Sequence, residues 1–128
     1  MRNPRPISKF RDVCNVPCFD QAKVNRLRAG LARDEAHLPA LADFYKLLGN
    51  TTRLKILLAL EKTELCVCDI AHVLGLSIAA TSHQLKQLHD GSWLRKRDDG
   101  KMVYYQLQSA DLLKAVKADL KLLTARAR

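Results

Sequence analysis

Apolar residues recur at helical spacing through most of this chain. Leu38, Leu41, Ala42, Tyr45 and Leu48 mark one face of a helix that Gly49 can end, and Thr51 can cap a second helix carrying Leu54, Leu57, Leu58 and Leu60. Asp69 to Leu74 predicts a short helix that buries Ile70, Val73 and Leu74 and stops at Gly75, while Ser77 can cap a helix running to Asp90 on Leu85 and Leu88. Two helices joined by a short glycine-containing turn make a helix-turn-helix pair. The period then changes. Trp93 to Arg97 and Met102 to Leu107 predict paired strands, because Asp99-Gly100 suits the positive backbone angles of a tight hairpin turn. A charged hairpin after such a helix pair is a wing. Leu113, Val116, Leu120 and Leu123 return to three- and four-residue spacing, leaving a narrow apolar seam on a terminal helix that suits its own domain or another helix.

The expected fold is therefore mainly α with a β-hairpin wing, occupying residues 34–128. Residues 1–33 read differently, as a basic arm in which Arg2, Arg5, Lys9, Arg11, Lys23, Arg26, Arg28 and Arg33 face only Asp12 and Asp20. Pro4, Pro6 and Pro17 keep its first half from being one regular helix, and Val24, Leu27 and Leu31 permit a short amphipathic helix after Phe19. At 128 residues the chain has room for one modest core. Its formal net charge of +9 attracts polyanions before any specific contact forms, which makes nucleic acid the leading partner. No run of about 18 apolar residues exists to span a bilayer, and the Arg-rich start lacks the apolar stretch of a secretory signal. The expectation is a cytoplasmic protein without a membrane partner.

Candidate chemistry centres on four cysteines in two close pairs, Cys14-x-x-x-Cys18 in the arm and Cys66-x-Cys68 just before the helix-turn-helix pair. In a reducing compartment such spacing is more often metal-binding or redox-active than cross-linked. Soft thiolates take soft or borderline ions, and four of them complete a tetrahedral site, although lead can use only three. Residues two apart inside a helix point about 200° apart, so Cys66 and Cys68 can share an ion only where the chain is not yet helical. That puts the pair at a helix mouth, where unpaired N–H groups and the positive dipole end favour thiolate. The bland reading of Cys66 and Cys68 is as small buried hydrophobes, which explains Cys14 and Cys18 poorly because their polar arm has little core to fill. A thiol redox switch is a further reading. Of the histidines, His72 could add a nitrogen ligand, while His37 and His89 point to no particular role.

Short polar side chains on the second helix of the pair can reach base edges, and cations beside them can hold phosphate. Thr81, Ser82, His83 and Gln84 are the reading candidates, with Gln84 suited to a bidentate contact with adenine and Lys86 to phosphate; Arg95, Arg97 and Lys101 are the wing candidates. An isolated charged hairpin would be read as a solvated surface, but its position after the helix pair reverses that preference. Tyr104 and Tyr105 alternate across a strand, so one of them is expected to pack inward.

The helix pair, Ser82-His-Gln-Leu85, the Asp99-Gly100 hairpin ending in Val103-Tyr-Tyr105, and Glu64-Leu-Cys-Val-Cys-Asp69 together resemble the ArsR/SmtB family of winged-helix metal-responsive repressors over roughly residues 38–123. Cys14-Asn-Val-Pro-Cys18-Phe-Asp followed by Lys23-Val-Asn-Arg26 looks like the start of its cadmium/lead-sensing CadC branch. The resemblance implies a homodimeric winged helix-turn-helix repressor in which the arm of one subunit reaches the Cys66 helix of the other. Metal-free protein would hold a palindromic operator, and Cd(II) or Pb(II) on Cys14, Cys18, Cys66 and Cys68 would release it, with Zn(II), Hg(II) or Bi(III) as other thiophilic inducers. Some relatives carry a second zinc site between terminal helices; the matching stretch here reads Ser109-Ala-Asp111, then Leu122 and Ala125, so that site is expected to be absent. The competing inducer is trivalent arsenic or antimony on three sulfurs. Neither a Cys-x-x-Cys in a βαβ pattern, a phosphate-cradling glycine loop nor a convincing triad is present, so no enzyme and no small-molecule substrate are expected.

Overall fold

The computed structural model describes residues 18–127, so Cys14 and the arm cations Arg2, Arg5, Lys9 and Arg11 lie outside the described residues. The chain divides into two compact units, Met1–Ala40 and Leu41–Arg128. Within the first, α1 (Gln21–Asp34) starts where the Asp20 carboxylate accepts from the Lys23 backbone N–H at 3.2 Å. It buries none of its residues, and Leu27 and Leu31 stand exposed.

The second unit takes in α2 (Leu38–Leu48) from Leu41 onward, then α3 (Thr51–Ala59), β1 (Leu65–Cys66), α4 (Val67–Leu74), α5 (Ile78–Asp90), β2 (Leu94–Asp99), β3 (Met102–Leu107) and α6 (Ala110–Arg126). Each boundary has a local cause. Asn50, not Thr51, caps α3, its side-chain oxygen accepting from the Arg53 N–H at 3.1 Å. Gly75 closes α4 in the left-handed region at φ 68°, and the Ser77 hydroxyl caps α5 by accepting from the Ala80 N–H at 3.0 Å. At the wing tip Asp99 pairs with Met102, which makes Gly100 and Lys101 the two turn residues; Gly100 has φ 62° and Lys101 does not go positive, as in hairpin turns that need glycine first.

Ile56, Leu57, Ile70, Leu85, Leu88 and Leu94 form the fully buried centre, closed by Trp93 stacked on Phe44 with ring centroids 4.4 Å apart. Two apolar expectations are corrected. Val73 is 64% exposed while Ala71 takes the inward position, and α2 turns Phe44, Leu47 and Leu48 toward the core rather than Leu41 and Tyr45. The seam on α6 divides: Leu113 is buried and Val116 packs on the core, whereas Leu120 and Leu123 are exposed. Leu41, Tyr45, Leu58, Val116 and Leu120 thereby line an apolar groove of about 650 Å³.

Strand order β1-β3-β2 makes a three-stranded antiparallel sheet, with β1 absent from the sequence expectation. Cys66 pairs with Tyr104, and Tyr104 pairs on its other side with Arg97. The cysteine strand is thus the wing's third strand. Tyr105 is the inward tyrosine, and burial pushes its hydroxyl pKa up. No helix among the described residues is long and apolar enough to cross a membrane.

Candidate metal centre and nucleic-acid interface

Cys66 ends β1 and occupies the N-cap of α4 at φ −81°, ψ 167°, with no capping hydrogen bond from its sulfur; Cys68 is the second helical residue. The pair therefore spans the change from extended to helical backbone, where two sulfurs two positions apart can be turned toward one point. Their surroundings differ. Cys66 is only 5% exposed whereas Cys68 is exposed, so an ion shared by both requires the Cys66 sulfur to come outward. Cys18 is an exposed free thiol in the first unit. Among the described residues no three His, Cys, Asp or Glu side chains are grouped to hold an ion. Cys66 and Cys68 thus offer two soft donors, a chemistry suited to thiophilic cations. His72 lies one turn beyond Cys68 and is exposed, and His89 approaches the Asp90 carboxylate at 3.7 Å.

On α5 the reading candidates separate by face. Ser82, His83 and Lys86 are exposed. Thr81 is fully buried, its hydroxyl donating to the Ser77 carbonyl at 2.8 Å, so it does not present to a base; this corrects the expectation for Thr81. Gln84 is half-buried, and its side-chain oxygen accepts from Arg53 Nε at 2.8 Å. The same guanidinium donates to Gln87 and, at 2.9 Å, to the Leu47 carbonyl. Gln84 is therefore spent inside the protein, and the bidentate adenine contact expected of it is not available in this arrangement. Gln87 in turn approaches His83, nitrogen to nitrogen, at 3.2 Å. Lys86 pairs with Asp90 at 3.0 Å across one turn, which holds the Asp90 carboxyl below its ordinary range.

The wing candidates also divide. Arg95 and Lys101 are exposed, as is Lys96, which sequence reading passed over although it lies between two chosen arginines. Arg97 is engaged: its Nη2 donates to Glu64 Oε1 at 2.5 Å, Nε to Oε2 at 3.4 Å, and Nη1 to Asp99 at 3.5 Å, with the guanidinium 4.7 Å from the Tyr104 ring centroid. The hydrogen-bonded Arg97 holds the Glu64 carboxyl below its ordinary range, and Glu64 raises Arg97 in return. Sequence carried no sign of Arg53 or Glu64 in these roles, because each acts on a residue more than thirty positions away.

Comparison with known proteins fits this arrangement. The model of the family described as "Bacterial regulatory protein, arsR family" matches residues 50–91, from the α3 cap to the end of α5. A cadmium resistance transcriptional regulatory protein CadC from Listeria innocua is 39% identical over 80% of this chain and 85% of its own length. Among solved structures, a homodimeric winged helix-turn-helix DNA-binding domain from Mycobacterium bovis superposes with a TM-score of 0.62 at 29% identity, over 73% of this chain and 85% of that one. The AntR antimony-specific transcriptional repressor has the same TM-score at 25% identity, over 91% of this chain and 93% of its own.

Proposed function

The chain belongs to the arsR family of bacterial regulatory proteins, and from that premise we propose that it is a cytoplasmic, homodimeric repressor that holds operator DNA when metal-free and lets go when a thiophilic cation binds its cysteines. The observation that carries this reading is the position of Cys66 and Cys68: the pair sits at the N-terminus of the first helix of the helix-turn-helix, and Cys66 ends a strand hydrogen-bonded to the wing. A change at these sulfurs acts on both DNA-binding elements at once.

Cys66 and Cys68 would supply two thiolates, and Cys14 and Cys18 of the arm two more, for Cd(II) or Pb(II); Zn(II), Hg(II) and Bi(III) share the same preference for sulfur. Four thiolates around one divalent ion leave a local charge of −2 beside a surface meant for phosphate, which opposes DNA. Cadmium is favoured by the likeness to the CadC relatives. Ser82, His83 and Lys86 form the exposed reading face, and Arg95, Lys96 and Lys101 the phosphate-facing wing. The groove between α2 and α6, with Leu120 and Leu123 left exposed, is suited to the matching helices of a second subunit, which would pair two reading helices on a palindromic site.

A titration of the reduced protein with Cd(II), followed by ultraviolet thiolate-to-metal absorption, tests the ligand set. Removing Cys66 or Cys68 is expected to abolish the tight phase, and replacing Cys14 and Cys18 by Ser to weaken it. An unchanged titration in the C66S and C68S variants refutes the assignment. Trivalent arsenic or antimony on Cys66, Cys68 and one arm cysteine is the second reading, favoured by the likeness to the antimony-specific AntR. A response to arsenite or trivalent antimony but not to Cd(II) would select it.

A further inference from the structure

Cys66, Tyr104 and Arg97 lie together on the sheet, with Glu64 just before β1. Cys66, Tyr104 and Arg97 are direct partners across β1, β3 and β2, so they form one row whose side chains share a face. Glu64, two positions before Cys66, falls on the same side of the chain and closes onto Arg97 through two of its nitrogens. Arg97 also covers the Tyr104 ring. This is the only set of ionic and π contacts among the described residues that joins the Cys66 segment to β2.

We propose that Glu64 and Arg97 are positioning residues that clasp the wing to the cysteine strand, so that outward movement of Cys66 and displacement of the wing are one event. The inference rests on the assignment of Cys66 as a ligand only for its purpose; the contacts of the clasp involve protein groups alone. Two facts motivate it. Cys66 is nearly covered, so binding at its sulfur has to disturb β1. And β1 is just two residues long, with backbone pairing to β3 alone, so among the described residues the Glu64–Arg97 bridge is the ionic link from its start to β2. Arg97, unlike Arg95 and Lys101, is then a fastening and not a phosphate contact.

The test reads the thiol of Cys66 directly. In a C14S/C18S/C68S background of the full chain, without metal or DNA, the rate of Cys66 modification by a neutral disulfide reagent is measured for the parent, E64Q and R97Q. Opening the clasp exposes Cys66 in both variants, so both rates are expected to rise about two- to fivefold, the range an exposed ion pair commands. A purely electrostatic effect moves them in opposite directions, because loss of a carboxylate favours thiolate and loss of a guanidinium disfavours it. Opposite signs, or no change in either, overturn the proposal. K117Q, which breaks the other long-range ion pair among the described residues, from α6 to Glu61, must leave the rate unchanged; an equal rise there would mean general loosening and would also overturn it. Because no metal enters, failure of the repressor reading leaves this result intact, and failure of the clasp leaves that reading standing.

Discussion

Arg53 offers the sharpest test of how the reading helix is held. Its guanidinium bridges Gln84 and Gln87 of α5 to the Leu47 carbonyl near the end of α2 through three acceptors, from a position in the first turn of α3. Replacing it by Ala leaves all three acceptors without this donor. A hydrogen bond from a charged donor contributes about 1.5–3 kcal/mol when dry and nearer 1 kcal/mol where water can replace it. The site is half-buried, so R53A is expected to cost about 3 kcal/mol. R53K keeps a charge but loses the fork; reaching one acceptor, it should recover about 1 kcal/mol of that. Urea unfolding at one fixed protomer concentration measures both, since the proposed dimerisation would make stability concentration-dependent. A loss below about 1 kcal/mol for R53A, or full recovery by R53K, would refute the view that the bridging fork holds α5 in place.

Three further outcomes follow from particular positions. Gly75 sits at φ 68° with open space where a Cβ would go, so G75A should cost about 1–2 kcal/mol in the same unfolding assay through backbone strain alone. Glu64 has its carboxyl pKa lowered by Arg97, so the stabilisation from this pair should be complete above the ordinary glutamate range and fade as pH falls through the lowered value; the urea midpoints of wild type and E64Q should differ at neutral pH and converge in acid. Finally, K101Q and R95Q should each lower the salt dependence of DNA binding by about 0.9 in the log–log slope, the effect of one lost phosphate contact.

Much of the fold was legible because its signals are local. Ser77 before α5, Gly75 after α4 and the glycine at the wing tip each decide a boundary through their own backbone, and the spacing of Leu85 and Leu88 names a buried face without reference to any other element. What escaped was long-range. A two-residue strand such as Leu65–Cys66 has no period to detect; it exists only because Tyr104 and Tyr105 pair with it. The same holds for the α2 face. Leu41 and Tyr45 follow the helical spacing as well as Phe44 and Leu47 do, and it is Trp93, far along the chain, that selects Phe44. In the candidate site, residue type singled out the cysteines and the basic wing as candidates, but only tertiary contacts reveal that Gln84 and Arg97 are engaged within the protein and that Thr81 is buried.

The central claim is that sulfur chemistry at Cys66 and Cys68 is read out as grip on DNA. It is tested most directly by fluorescence anisotropy on an operator selected with the reduced, metal-free protein, at one salt concentration, with and without saturating Cd(II). The account predicts an affinity weakened by at least about fivefold and toward the 150-fold end of common allosteric coupling, with the loss abolished in C66S. Equal affinity in the two states, in a protein whose thiolates demonstrably hold the ion, would contradict it.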